Sequence, residues 1–320
     1  MSRTLLRRLA LSVPLFFVVT LLTFLLPAFI PGGAAEAVLG TSATPDKIAA
    51  LNQQLGLNDP VFLQYWRWLK NALGGNLGNS LANNESVTQI LKDAFPVTLS
   101  LILGAMVIAM LLGIPIGVVS ARRARSGGAG GQVIDALSLT GYAIPNYFLG
   151  IMAGFLFSNV LHVLPASGYT SPAASLTDWF KSIVLPVLTL GLPGAALLAR
   201  QTRQSMVEVL ARDYIRSLRG RGLSERSIIY KHALRNAMGN VVTMLGIYVV
   251  SLLLGTILIE NVFAMQGIGT VAVTATSQHD LPTIEGAAMY FTIVVVVAFI
   301  LIDLIRAWLN PKLRSDSGRT

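Results

Sequence analysis

The sequence has no cysteine, which excludes disulfides and thiolate metal clusters and leaves the redox compartment unmarked. It is also poor in charge. Asp, Glu, Lys and Arg make up 12% of its 320 residues while 53% are hydrophobic, against about 25% charged residues in a soluble domain. A chain with so little polar surface cannot face water on all sides, and no shift in composition marks a separate soluble domain. Histidine is scarce: His162, His232 and His279 stand far apart, and none belongs to an H-E-x-x-H zinc pattern. No G-x-S-x-G elbow and no phosphate loop occurs. The glycines between Ser126 and Gly131 lack a following Lys-Ser/Thr and read as linker. The acids inside apolar runs are single and mostly near the ends of those runs, so no acid, base or nucleophile cluster is evident. The chain is expected to be no enzyme, and to bind no metal or cofactor itself.

What is there in abundance is apolar sequence. After Arg3, Arg7 and Arg8, the run from Leu9 to Ile30 reaches the roughly 20 residues that cross a bilayer. It exceeds the roughly 7–15 residues of a signal-peptide core, so it reads as a span and not a cleaved leader, although Ala34–Ala37 is loosely cleavage-like. Further spans are expected over Val97–Ser120, Val133 to about Val160, Ile183–Ala199, Met238–Val262 and Gly286–Ile305. Gly113, Pro115 and Gly117 read as breakers near the end of the second span. Pro145 reads as a kink in the third, and Pro186, Gly191, Pro193 and Gly194 as breaks in the fourth, all tolerated where neighbours re-satisfy the backbone. The expected fold is an all-α integral membrane protein with six transmembrane helices.

Orientation follows from the basic residues. The N-terminus, the 122–125 loop, the 200–235 segment and the tail hold 19 of the 24 lysines and arginines. The alternate segments hold only Lys47, Arg67, Lys70, Lys92 and Lys181. The positive-inside rule then puts both termini in the cytoplasm. The net charge of +9 is thus spent along one membrane face, leaving no aromatic-interleaved basic fold for nucleic acid. Three regions result: 1–30 with the first span, an external segment over 31–96, and a core over 97–320.

In the external segment, Thr44-Pro45-Asp46 is a helix-start signal ahead of Ile48, Leu51 and Leu55. Asp59-Pro60 starts a second helix with Phe62, Tyr65, Trp66, Trp68 and Leu69, and Ser86 can cap a third short one through Val87, Ile90 and Leu91. The aromatics of the second suit either a helix at the lipid headgroup level or a small local core.

The segment Ala211–Val242 is the longest polar, basic stretch, with six positive charges between Arg212 and Lys231. A basic loop between spans is what orientation alone demands, but this one is patterned. Arg212, Arg216 and Arg219 form a helical stripe, and Met206, Leu210, Tyr214 and Leu218 form an apolar face. Gly220 and Gly222 interrupt it, and Ser224 with Glu225 can start a second helix. Helix, glycine turn, helix between two spans has the shape of a docking element.

The run Asp213-Tyr-Ile-Arg-Ser-Leu-Arg-Gly-Arg-Gly-Leu-Ser224, continuing through His232-Ala-Leu-Arg-Asn236, resembles the cytoplasmic coupling loop of ABC-importer permeases. The form is that of the dipeptide and oligopeptide branch. The loop's glycine falls on Gly222. The general E-A-A triplet falls on Arg216, Ser217 and Leu218, and its closing I-x-L-P on His232, Ala233, Leu234 and Arg235; these departures follow the H-x-L-R-N of the peptide branch. Leu55-Gly-Leu-Asn-Asp-Pro60, Gln64-Tyr65 and Gly75-Asn-Leu-Gly-Asn-Ser80 resemble that branch's external features, with Asn76 in place of an acid. Asp303 with Asn310-Pro311-Lys312 resembles its D…D-P-R ending.

The resemblance implies a type I importer permease in a prokaryotic cytoplasmic membrane. It implies a second permease subunit (a paralogue or an identical copy), two ATP-binding subunits carrying ATP and Mg, and an extracytoplasmic substrate-binding protein. Coupling falls to Asp213, Tyr214, Ile215, Arg216, Ser217, Leu218, Arg219, Gly220, Arg221, Gly222, Leu223 and Ser224, within a loop over about 203–237. Tyr142, Asn146, Tyr248, Glu260 and Asn261 are the candidates for the pathway and its outer gate, since polar groups at membrane depth are costly. Asp303 is expected to pair with Arg306, and Asp135 to play a similar part at the cytoplasmic boundary. A stand-alone secondary transporter or channel is the rival, and a nickel chelate or haem the rival cargo.

Overall fold

The computed structural model describes residues 2–25, 35–36, 39, 43–124 and 145–309. Among them the chain is helical, with one isolated antiparallel bridge between Asn79 and Ser86. The helices are α1 (Ser2–Leu25), α2 (Pro45–Leu55), α3 (Val61–Leu73), α4 (Val87–Ala124) and α5 (Asn146–Gly154, extended by a wide π turn over Phe155–Val160). Then come α6 (Leu176–Leu210), α7 (Asp213–Gly220), α8 (Glu225–Val262, with a π turn over Ile228–Ala233), α9 (Ile268–Ser277) and α10 (Leu281–Leu309). Four of these, α4, α6, α8 and α10, are long and apolar enough to cross a membrane. Residues 133–144 of the expected third span, with Tyr142 and Asp135, lie outside the described residues, as do Asn310–Lys312.

The helix boundaries correct several expectations. The short helix started by Ser86 is the opening of α4, so the second span begins about ten residues earlier than its apolar run. Pro186, Gly191, Pro193 and Gly194 do not break α6, which is continuous over 35 residues. Proline removes one hydrogen bond and crowds the preceding turn, yet the helix runs on; in the turn before Pro193 the Tyr248 hydroxyl of α8 donates to Leu190 O at 2.8 Å. Pro145 immediately precedes Asn146 and opens α5, so it marks a helix start. The Phe263–Thr283 loop contains α9.

The chain divides into two compact units. One comprises Ala10–Thr98 and Gln266–Val296. Its core gathers Ala72, Leu77, Val87, Leu91, Ala94, Ile268, Ala287 and Met289. The motifs of the external segment are its joints. Gly56, at φ 66°, ends α2 in the left-handed conformation, with Leu57 N bonding back to Asn52 O. Gln64 Nε2 donates to Leu57 O (3.1 Å) and Asp59 O (2.7 Å), and Arg67 pairs with Asp59 at 2.5 Å, which sets α3 against the end of α2. Asn76 Oδ1 accepts from Gly78 N at 2.9 Å, turning the chain toward Ser80.

Ser80 meets Asp280, the residue before α10. The buried Asp280 carboxylate accepts from Ser80 Oγ (2.6 Å), Leu81 N (2.9 Å) and Thr283 Oγ1 (2.7 Å). It therefore ties the external loop to the start of α10. A buried donor stripped of its partner costs about 1–3 kcal/mol. Asp280→Ala orphans three donors, and Ser80→Ala removes only one. Thermal unfolding in detergent should show a midpoint several degrees lower for Asp280→Ala and a smaller drop for Ser80→Ala; the reverse order would refute this account of the joint.

The other unit comprises Met1–Leu9, Leu99–Met265 and Val297–Thr320. Within it α6 packs lengthwise on α4 and α8. Gly113 and Gly117, taken from sequence as breakers, lie inside the continuous helix α4. A Cβ at either would come within 2.7 Å of Ala195 O or 2.5 Å of Ala199 O. They are the small-residue stripe that lets two membrane helices touch backbone to backbone.

Candidate functional site

The basic element lies wholly in this second unit. α6 ends at Leu210, and Ala211 and Arg212 turn the chain before α7 begins. The turn re-aims the following helix, so the apolar register of Met206 and Leu210 does not run on through Tyr214. Ile215 is the buried residue of α7, at 0% exposure, while Tyr214 lies on the outside. Ile215 sits among Met206, Val209, Leu210, Ile228 and Ile229, with Leu218 and Leu223 partly buried at the edge. The Tyr214 hydroxyl instead accepts from Asn236 Nδ2 at 3.0 Å, which ties the start of α7 to α8.

α7 ends in a ring of hydrogen bonds that assigns different work to its two glycines. Leu223 N donates to Leu218 O (3.3 Å) and Gly222 N to Arg219 O (2.9 Å), with Gly222 at φ 79°. That is the Schellman arrangement, in which the residue after the cap must be left-handed and the next one packs back on the helix. Leu223 and Leu218 supply that packing. Gly220 is the last helical residue of α7 and does not interrupt it, contrary to the sequence reading. Ser224 then caps the next helix as expected, its Oγ accepting from Ser227 N. Arg219 Nε reaches over the turn to Glu225 Oε1 at 2.5 Å.

The outer surface of the element is basic. Arg212 pairs with Glu208 at 2.8 Å, and Arg216 lies 3.9 Å from Asp213. Exposed pairs of this kind contribute at most about 1 kcal/mol, so both arginines can exchange partners at little cost. Arg221, Arg226 and Lys231 are exposed around the turn. The element is thus a short helix anchored by one buried isoleucine, presenting cations and a turn to the outside.

The pathway candidates do not form one cluster. Tyr142 lies outside the described residues. Asn146 opens α5, with its Nδ2 3.5 Å from where a Cβ would stand on Gly255 of α8. Tyr248 is buried, and its ring occupies the space over Gly194. Tyr248 thus reaches α6 at Leu190–Gly194, whereas Asn146 approaches α8 at Gly255. Glu260 lies further along α8 at 0% exposure, away from solvent, while its neighbour Asn261 is exposed and donates to Ile257 O at 2.7 Å. Asp303 approaches Arg306 at 3.9 Å, the expected partner. Sequence reasoning missed Ile215 as the anchor, Gly194 as the bed of Tyr248, and Asp280. Only the last left a local signal: Asp280-Leu-Pro-Thr283 is a helix-start pattern. Among the described residues no group of His, Cys, Asp or Glu could hold a metal ion.

The chain is similar to known transport proteins. Residues 113–315 match the family described as binding-protein-dependent transport system inner membrane component, and residues 1–102 match the N-terminal family of such membrane components. The di/tripeptide transport system permease protein DppB of Pseudomonas aeruginosa is 36% identical, covering 96% of this chain and 97% of its own. The dipeptide permease protein DppB of Alkalihalophilus pseudofirmus is 33% identical over 96% and 98%, and the glutathione permease protein GsiC of Salmonella paratyphi A 35% over 97% and 98%. Among solved structures, the inward-facing MetNI methionine ABC transporter matches with a TM-score of 0.57 at 15% identity, over 69% of this chain and 97% of that one. At that identity the likeness speaks for the fold alone.

Proposed function

Because the chain belongs to the inner-membrane components of binding-protein-dependent transport systems, we propose that it forms half of the translocation pathway of an ATP-driven importer of di- and oligopeptides. The peptide and glutathione names of relatives aligned over nearly the whole chain support that cargo class. In this reading six helices cross a prokaryotic cytoplasmic membrane, with both termini in the cytoplasm. α1 and the segment ending at Val160 complete the set begun by α4, α6, α8 and α10. A second permease subunit, two ATP-binding subunits and an extracytoplasmic binding protein complete the machine; ATP and Mg belong to the ATPases.

The observation that carries the proposal is the α7 element: its inner face is fixed by Ile215 in the α6–α8 core, and its outer face is exposed and cationic. Residues Asp213–Ser224 sit in a cleft of one ATPase. When ATP closes the ATPase pair, the displacement passes through Ile215 and the Tyr214–Asn236 contact into α6 and α8, and the pathway switches access. No covalent chemistry falls to this chain. Asn146, Glu260 and Asn261, with Tyr142, are the residues we assign to the pathway and gate. Tyr248, its hydroxyl engaged with Leu190 O, acts as a positioning residue behind them.

Affinity purification of the chain from its own membrane in mild detergent tests the assembly. An ATPase should co-purify, and should be lost when the 213–224 segment is altered. A chain that purifies alone and transports in liposomes without ATP would establish the stand-alone transporter instead.

A further inference from the structure

α3 carries an apolar side that the fold leaves uncovered. Tyr65, Leu69 and Ala72 are buried, but Phe62, Trp66 and Leu73 are 77%, 55% and 68% exposed. On a helix these three lie together, directly beside the buried stripe. Apolar side chains thus run around more than half of α3, and only part of that arc is used in packing. Lys70, one turn from Trp66, borders the uncovered part, and no acidic residue occurs anywhere in α3.

The packed part shows where α3 sits. The Tyr65 hydroxyl is 2.9 Å from Thr20 Oγ1 and 3.3 Å from Phe17 O, and Phe24 lies against the rings of Tyr65 and Trp68 at 5.6 and 5.9 Å. All four contacts are with the C-terminal half of α1. If the basic cluster ending at Arg8 marks the cytoplasmic boundary, Phe24 stands about 24 Å along the helix at 1.5 Å per residue. That is near the far side of a hydrocarbon core of roughly 30 Å. A helix docked on Phe17–Phe24 cannot stand off in water while α1 is in the bilayer. Phe17 and Thr20, met by the Tyr65 tip, stand about 14 and 18 Å along, so α3 lies against the outer half of the bilayer and reaches, at Phe24, the boundary that tryptophan and amphipathic helices favour.

We propose that the Phe62, Trp66 and Leu73 side of α3 is a membrane-interface surface, seated in the headgroup–acyl boundary of the outer leaflet. Lys70 lays its stem along that boundary and its ammonium among lipid phosphates. This rests on α1 being the first span, as in the functional reading above. It gives the external segment a function of its own: α3 is a float that sets the depth of the α2–α3 joint and of the loop pinned at Asp280, whatever cargo the importer carries.

The absence of native cysteine permits a direct test. Single cysteines at positions 62, 66, 73, 71 and 22 are labelled with a nitroxide. The chain is assembled in the whole importer, with thiol-free partner subunits, in vesicles containing one part anionic phosphatidylglycerol to three parts phosphatidylethanolamine. Collisions with oxygen should exceed those with a water-soluble nickel chelate several-fold at 62, 66 and 73, and the order should reverse at the exposed Asn71 position. Leu22, exposed on α1, should report lipid. Nickel access at 62, 66 and 73 while position 22 reports lipid overturns the float alone. Shielding of the three from both reagents also overturns it, since a protein then covers the surface. Nickel access at position 22 overturns the span assignment and the float with it.

Discussion

Gly222→Leu should uncouple ATP hydrolysis from transport while the chain still inserts and assembles, and Gly220→Ala, two residues away, should leave both coupling and assembly intact. No steric argument separates the two, since a Cβ at either glycine would meet nothing within 4 Å. The backbone separates them. Gly222 sits at φ 79°, where an L-residue pays about 1–2 kcal/mol. Gly220 is helical, where alanine is better than glycine by roughly 0.5–1 kcal/mol. A penalty of that first size changes a population ratio by roughly 5–30-fold. The bonds at risk are Leu223 N to Leu218 O and Gly222 N to Arg219 O, together with the Arg219–Glu225 pair that spans the turn.

With the ring open, α7 can still be anchored by Ile215, so folding of the membrane part is spared. The turn that we propose an ATPase holds, however, no longer has one shape. Reconstituted importer should therefore keep its ATPase activity, lose its stimulation by loaded binding protein, and transport at a rate about tenfold lower, which corresponds to roughly 1.4 kcal/mol. Normal transport by Gly222→Leu would remove the α7 turn from the mechanism. An equal defect in Gly220→Ala would show that helix content, not the left-handed turn, is what matters.

This contrast shows what the sequence could and could not disclose. Two glycines around an arginine announce a turn, but both have the same local propensity. Which one is left-handed depends on a ring of hydrogen bonds closed by residues five positions apart. The starts of α2 and α3 were legible because Thr44-Pro45-Asp46 and Asp59-Pro60 act locally. Ser224 was legible for the same reason. The lengths of α4 and α6 were not. Proline and glycine are read as breakers from their own backbone chemistry, yet in α6 Gly194 is the bed of a tyrosine from another helix, and in α4 the glycines exist for the approach of α6. Tyr214 was placed on the apolar face because a regular helix was extended across Ala211 and Arg212; once the chain turns there, Ile215 inherits the inward position. Failures of this kind fall where tertiary contacts override a local rule.

Gly194 is where that override is strongest, and Gly194→Ala should be among the most damaging single-methyl additions in the chain. A Cβ on Gly194 would overlap the Cζ and hydroxyl of Tyr248. The ring is buried and its hydroxyl is engaged with Leu190 O in the turn before Pro193, so it cannot move aside without giving up that hydrogen bond and its packing. Overpacking a filled interior costs about 1–3 kcal/mol, to which loss of the hydrogen bond adds a smaller amount. Tyr248→Phe gives up only the hydrogen bond, typically about 0.6 kcal/mol between membrane helices, and should be mild. The decisive variant is the double one. In a Tyr248→Ala background the room taken by the ring is vacant, so Gly194→Ala should add almost nothing to the cost of Tyr248→Ala, a large departure from additivity of the kind contacting residues show. Thermal unfolding of the four proteins in one detergent measures the cycle, and transport by the same set tests whether α6 must be held at this point for the pathway to switch. Additive losses would mean that Gly194 and Tyr248 act independently, and that the ring does not fill the space over Gly194.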